Sequence, residues 1–195
     1  MTQYPKRQKL FDEWVKSYDQ DLEDGESFPF IGYDVVLALT IKMADVPVTH
    51  TVLDLGIGTS NLATRLLLPD QQIWGVDFSW SMLDKAREVL PNAHLIQADL
   101  AGHDWVNEIQ QPFDRILSAY AFHEFPDEEK IKIIIDLARN SLALEGRIVI
   151  GDNSISNRAA LEWAQGHFTD LWDEEAYYWC AEPLTDALGK AVFSV

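Results

Sequence analysis

The sequence predicts a doubly wound, mostly parallel α/β sheet in one domain, and three observations carry that reading. From His50 onward, short apolar runs alternate with segments of helical periodicity, the pattern of parallel strands wrapped by crossover helices. The first run, "TVLDL" at 51–55, leads into Gly56 and Gly58, the kind of strand-to-helix turn beside which open parallel sheets bind ligands. Asp54, Asp77 and Asp99 lie at the ends of the first three runs, so a parallel sheet delivers three carboxylates to one rim.

Taken in order, Phe11, Trp14, Val15 and Tyr18 fall at helical spacing and predict an amphipathic first helix that ends in the acidic stretch "DQDLEDGESFPF". Tyr33, Val36, Leu37, Thr40 and Ile41 share one face of a second helix. Strands are expected at 51–55, 72–77 ("QIWGVD"), 93–98 ("AHLIQA"), 113–119 ("FDRILSA") and 147–152 ("RIVIGD"). Helices fill the gaps near 61–68, 79–90 and 127–142. Asp127 can cap the third of these, Glu128 and Glu129 favour its first turn, and Gly146 stops it before the next strand. Two further helices, at 157–168 and 183–188, precede a final strand at "AVFSV". The single domain thus divides into N-terminal helices at 1–45, a ligand-binding core at 50–152, and C-terminal helices with a last strand at 153–195.

Composition narrows the function. The 195 residues are 47% hydrophobic, enough for one sizeable core. Lys and Arg total 15 against 32 Asp and Glu, a net charge of −17 that repels phosphate backbones and anionic membranes. Nucleic acid and membrane are therefore poor partners. The acidic groups Asp19, Asp21, Glu23, Asp24 and Glu26, and Asp173, Glu174 and Glu175, lack the glycine of a calcium loop and read as solvated faces. Cys180 is the only cysteine, which leaves neither a disulfide framework nor a thiolate metal site. No signal-peptide core and no span-length apolar run is visible, and the expectation is a reduced, soluble, cytoplasmic protein.

Gly56 and Gly58 let the chain turn sharply and let a ligand lie against backbone N–H groups. Asp77, 21 residues after Gly56, is placed where an acid accepts both hydroxyls of a ribose. A dinucleotide fingerprint needs glycine where this chain has Asn61, and Asp54 beside the turn would repel a pyrophosphate. A dinucleotide oxidoreductase is disfavoured on both grounds. Asp54 suits instead the cationic amino group of a methionine-like moiety.

In order, "VLDLGIGTSNLA", "GVDFSWSML", "QADL" and "FDRILSAYAFHEF" resemble the motifs of class I S-adenosylmethionine-dependent methyltransferases, which have a Rossmann-like fold. The nearest likeness is to small bacterial methyltransferases of the YrrT type, through "FDEWVKSYDQ" and "AYAFHEF", and it extends from Phe11 to about Asp152. The resemblance implies S-adenosylmethionine as cofactor and a small-molecule methyl acceptor. It implies that Asp54, Gly56 and Gly58 hold the methionine end and Asp77 the ribose. Phe78 would flank the adenine, Asp99 would accept from its amino group, and Leu100 would lie beside it. Ser118 and Tyr120 would close the pocket, with Trp14 and Tyr18 in a helical lid unless they are ordinary core. The family often has a third glycine where this chain has Ser60.

Methyl transfer from an activated sulfonium needs alignment more than acid–base help. His123, just past the fourth strand, is the candidate proton acceptor, with helix capping or packing beside Phe122 and Phe125 as the alternative. Glu124 is a second candidate that also reads as a solvated first-turn acid. Asp152 and Asn153 resemble part of the metal site of catechol-type methyltransferases, but Ser118 stands where the partner acid belongs, so no metal is expected. The aromatic residues Trp163, Trp172, Tyr177, Tyr178 and Trp179 line an acceptor pocket or fill the core. Where the family ends in two strands, "AVFSV" has room for one. Either the sequence is truncated there or the sheet lacks its last strand and leaves an edge open, and an open edge invites a homodimer. The competing reading is a non-catalytic protein that binds S-adenosylmethionine or S-adenosylhomocysteine with the same fold.

Overall fold

The computed structural model describes residues 5–16, 18, 31–109, 111–170 and 172–192. Five strands form one sheet: β1 (Val52–Leu55), β2 (Ile73–Asp77), β3 (His94–Gln97), β4 (Phe113–Ala119) and β5 (Leu142–Gly151). Their order is β3-β2-β1-β4-β5 and every pairing is parallel. The winding reverses between β1 and β4, which leaves a crevice outside their carboxyl ends. Register places Asp54 beside Gly75 and Leu117, and Asp77 beside Gln97.

The strands are apolar on both faces because both are covered. Along β1, Leu53 and Leu55 join a core with Val76, Ile116, Phe122 and Ile133, while Val52 points the other way to Ile73, Leu83 and Leu117. On the first face lie α5 (Asp127–Asn140) and α7 (Ala181–Val192). On the second lie α2 (Tyr33–Ala44), the single turn α3 (Asn61–Thr64) and α4 (Trp80–Val89). The first helix, α1 (Pro5–Trp14), rests on the loop between β2 and α4, and α6 (Arg158–His167) precedes a separate two-strand pairing of β6 (Ser154–Ile155) with β7 (Trp179–Cys180).

Two buried cations lock distant segments. Arg115 in β4 donates from Nε to Ala44 O at 2.5 Å and from Nη2 to Asp45 O at 3.0 Å, satisfying carbonyls at the end of α2 that the helix cannot. Lys130, wholly buried in α5, donates to Asp127 Oδ1 at 2.9 Å and Tyr177 O at 2.6 Å, with its ammonium 4.9 Å over the Trp179 ring. Burial holds its pKa below the usual lysine value against the pull of Asp127.

Several sequence expectations need correction. The helix expected at 61–68 stops at Thr64, and Leu67 takes a positive φ of 55° where the chain turns back toward β2. Gly146 does not end α5, which stops before Ser141; it lies inside β5, after Glu145 has turned through a φ of 66°. Pro126, rather than Asp127, occupies the cap position. No strand forms at Ala191 and Val192, which close α7, while residues 193–195 of "AVFSV" and the acidic positions at 19–26 lie outside the described residues. An apolar pair at the end of an amphipathic helix reads locally like a strand, and only its packing partner decides.

Replacing Arg115 with Met removes the donors to α2 and should lower unfolding free energy by about 2–3 kcal/mol, seen as a lower urea midpoint at unchanged m-value.

Candidate functional site

β1 ends in a turn in which Gly56 has a φ of 70° and Gly58 a φ of 54°. A side chain on Gly56 would collide with Ala121 Cβ, so the bare backbone is what keeps the crevice open here. Ser60, where the family's third glycine is expected, also takes a positive φ of 76° and is wholly buried. The position demands left-handed backbone, and serine tolerates it with its hydroxyl donating to Thr59 O.

The crevice contains a cavity of about 680 Å³, its open mouth included, with walls that include Gly56, Gly58, Asp77, Phe78, Asp99 and Leu100. Tyr18, Met82, Tyr120, Glu124 and Phe125 complete much of the rest. A second recess of about 290 Å³ shares Tyr18, Gly56, Gly58 and Ala119 with it and adds Asp54, Tyr33, Thr59 and Asn61. Asp77 and Asp99 thus border the first cavity and Asp54 the recess beside it, the two sharing the glycine turn as a wall.

Their surroundings differ. Asp54 is 1% exposed, and its Oδ2 has no hydrogen-bond partner among the described residues. Burial, reinforced by the charge of Asp77, holds its pKa well above the usual carboxylate range. Asp77 accepts from Gly58 N–H through Oδ2 and from Ser79 N–H through Oδ1, each at 2.9 Å. Burial outweighs these bonds and pushes its pKa up to about 6. Asp99 accepts from Ala101 N–H at 3.0 Å. Tyr33 stacks obliquely on Tyr120, with centroids 5.0 Å apart, and burial raises the pKa of both hydroxyls; that of Tyr120 reaches about 12, with the charge of Asp152 contributing.

Helix α1 roofs the cleft from the β2 side. Phe11 meets Phe78 edge-on at 5.4 Å, Gln8 Nε2 donates to Phe78 O at 3.0 Å, and Ser79 Oγ donates to Asp12 Oδ1 at 2.5 Å. Tyr18 reaches the cavity wall. Trp14 stands behind it, packed on Phe11 and Tyr18 at 5.7 and 4.8 Å, and does not line the cavity. Ser118 also misses the wall: its hydroxyl is buried and donates to Leu55 O at 2.8 Å, so its neighbours Ala119 and Tyr120 line the cleft instead.

His123 sits between carboxylates. Its Nδ1 is 2.7 Å from Asp152 Oδ1, its backbone N–H donates to Asp152 Oδ2 at 2.9 Å, and its Nε2 is 3.4 Å from Glu124 Oε1. Burial lowers its pKa, but the charges and hydrogen bonds of Asp152 and Glu124 more than reverse this and lift it to about 9. The same contact keeps Asp152 below the usual range despite its burial. His123 is thus an imidazolium near neutral pH, and it does not line the cavity. Glu124 does, clasped from the other side by Arg7 Nε at 2.7 Å; Arg7 Nη2 continues to Asp173 Oδ2 at 3.0 Å.

Arg7, Phe11, Met82, Phe125 and Asn61 are cleft residues that the sequence reading did not single out for this role. Arg7 carries no local signature, because its partner Asp173 is 166 positions away. Phe11 and Met82 were legible only as apolar faces of their helices.

A family model for a methyltransferase domain matches residues 52–143. The chain is 34% identical to an uncharacterized methyltransferase of Geobacillus kaustophilus, over 95% of this chain and 87% of that one. It is 31% identical to the uncharacterized methyltransferase YrrT of Bacillus subtilis, over 95% of this chain and 86% of that protein. The fold is similar to the structure of a DhpI–SAH complex, with a TM-score of 0.67 at 18% identity over 94% of this chain and 84% of the other. It is also similar to YcgJ of Bacillus subtilis, with a TM-score of 0.62 at 22% identity over 81% and 67% of the two chains.

Two titrations follow from the buried charges. A carboxyl whose pKa is raised by folding lends stability that is lost as pH rises, so Asp54→Asn should stabilise the ligand-free protein increasingly as pH rises above the usual carboxylate range, measured as the difference in urea midpoint. For His123, raised from 6.5 to about 9, the stabilisation is complete below 6.5 and is lost through 9. Its imidazole resonances should titrate above about pH 8 by NMR.

Proposed function

The chain belongs to the methyltransferase family that includes YrrT of Bacillus subtilis, and from that premise we propose that it is an S-adenosylmethionine-dependent enzyme acting on a small-molecule acceptor. The observation that carries this reading is Asp54 Oδ2, a buried and orphaned carboxylate oxygen beside a backbone turn that admits no side chain. A buried anionic oxygen without a partner is costly, and an incoming cationic amino group would relieve it. The donor set fits an aminoacyl nucleoside along its whole length. Asp54, Gly56 and Gly58 would hold the amino-acid end. Asp77 would accept from the ribose through lone pairs that its two backbone donors leave free. Phe78, Met82 and Leu100 would sandwich the base, with Asp99 accepting from its amino group.

When bound, the sulfonium supplies a methyl carbon already activated toward displacement. The residues of this chain need then only fix the line of approach and exclude water, and such positioning is worth roughly 7–11 kcal/mol. Tyr18 and Tyr120 would close on the reacting end from opposite sides, with Trp14 stiffening Tyr18 and Ser118 anchoring the strand that carries Tyr120. His123, lifted toward the imidazolium form, would act by holding Glu124 and the β4–α5 loop rather than by taking a proton.

Calorimetric titration with S-adenosylhomocysteine should be saturable, and Asp77→Ala should weaken it by about 100-fold, as expected for two charge-assisted hydrogen bonds. The ionised carboxylate is the form that accepts both hydroxyls, so wild-type affinity should fall as pH drops through about 6. Unchanged affinity in both experiments would refute the ribose assignment.

A further inference from the structure

Once the nucleoside and its amino-acid end are assigned, part of the cavity wall remains that the nucleoside does not use. It includes Arg7, Glu124 and Phe125, together with Tyr18 and Tyr120 of the reacting end. Each cation in reach is already neutralised. Arg7 lies between Glu124 and Asp173, at 2.7 and 3.0 Å, and His123 lies between Asp152 and Glu124, at 2.7 and 3.4 Å. Two cations thus face three carboxylates, so the cluster carries a net negative charge on a chain whose total is −17.

Glu124 is the one carboxylate of this cluster on the wall, and its side chain is only 12% exposed. A carboxylate has about four acceptor positions, of which Arg7 Nε takes one and His123 Nε2 approaches another. The clasp from both sides holds its head in place and leaves acceptor capacity for a donor arriving through the cavity. Around it stand aromatic rings, which suit an apolar body and the faces of which attract positive charge. An anionic acceptor would meet the opposite: no unneutralised cation among the described residues of the wall, and a fixed negative oxygen in a site partly shielded from water.

Resting on the methyltransferase reading, we infer that the acceptor is a small amine with an apolar body, and that Glu124 is the residue that selects it by accepting an N–H hydrogen bond. The amine reacts as its free base after giving any extra proton to water at the mouth. Its nitrogen lone pair forms the new bond to the methyl carbon, the electron pair of the broken carbon–sulfur bond stays on sulfur, and the product leaves as a protonated N-methylamine. No side chain has to take a proton, in keeping with an imidazolium at His123.

The test uses the full chain saturated with S-adenosylhomocysteine, and that first titration decides separately whether the nucleoside cleft exists. Benzylamine, benzyl alcohol and benzoate are then titrated as probes. Benzylamine should bind at least about tenfold more tightly than benzoate, with benzyl alcohol between them, and Glu124→Gln should abolish that order. A thermal scan of the variant reports whether it folds, and the wild-type ranking stands without it. Benzoate binding as tightly as benzylamine, a loaded wild-type protein that takes up no benzylamine, or a folded Glu124→Gln protein with the amine preference intact would each overturn the inference.

Discussion

The structure is organised around the cost of keeping carboxylates dry. Asp54 and Asp77 sit at the ends of adjacent strands, both buried, with burial raising both pKa values and the charge of Asp77 adding to the effect on Asp54. Such an arrangement opposes folding and persists only because the rest of the sheet, packed on both faces, is stable enough to impose it. The two acids are then treated unequally. Asp77 receives two backbone donors and is partly settled, whereas an oxygen of Asp54 has none. That asymmetry is the observation on which the proposed amino-group site at Asp54 rests.

The glycine turn and the acids depend on each other. The N–H that steadies Asp77 belongs to Gly58, so the left-handed backbone of the turn both clears the crevice and points a donor at the acid across it. Ser60 extends the same left-handed path without being glycine. The strain this entails is local and small compared with the packing of Leu62 and Ala63 immediately after it.

At the opposite end of the cleft, a chain of charges runs from Asp152 through His123 and Glu124 to Arg7 and Asp173. It links the end of β5, the loop after β4, the roofing helix and the C-terminal segment, and Tyr177 N–H donating to His123 O adds a further tie. His123 and Asp152 favour each other's charged form, which is why His123 is lifted and Asp152 lowered. The contacts with Asp152 and Glu124 thus favour the protonated form of His123, the candidate base of the sequence.

The short apolar runs, the glycines and the rim acids were readable from the chain alone, because strand-length apolar runs, the tolerance of glycine for positive φ and the direction of a parallel sheet follow from residue type and order. β4 was located to the residue, and Ser79 and Asn157, where two helices were expected to begin, are the residues that cap them. What sequence could not decide was which side chains of "SAYAFHEF" meet the cavity. Tyr120, Glu124 and Phe125 do, whereas Ser118 turns into the sheet and His123 turns to Asp152. It also could not decide whether "AV" near the C-terminus is strand or helix, or that Arg7 would join Asp173 across nearly the whole chain. Those outcomes depend on partners far apart in sequence, and the direction of a charged side chain is set by the nearest opposite charge, which only the assembled fold supplies.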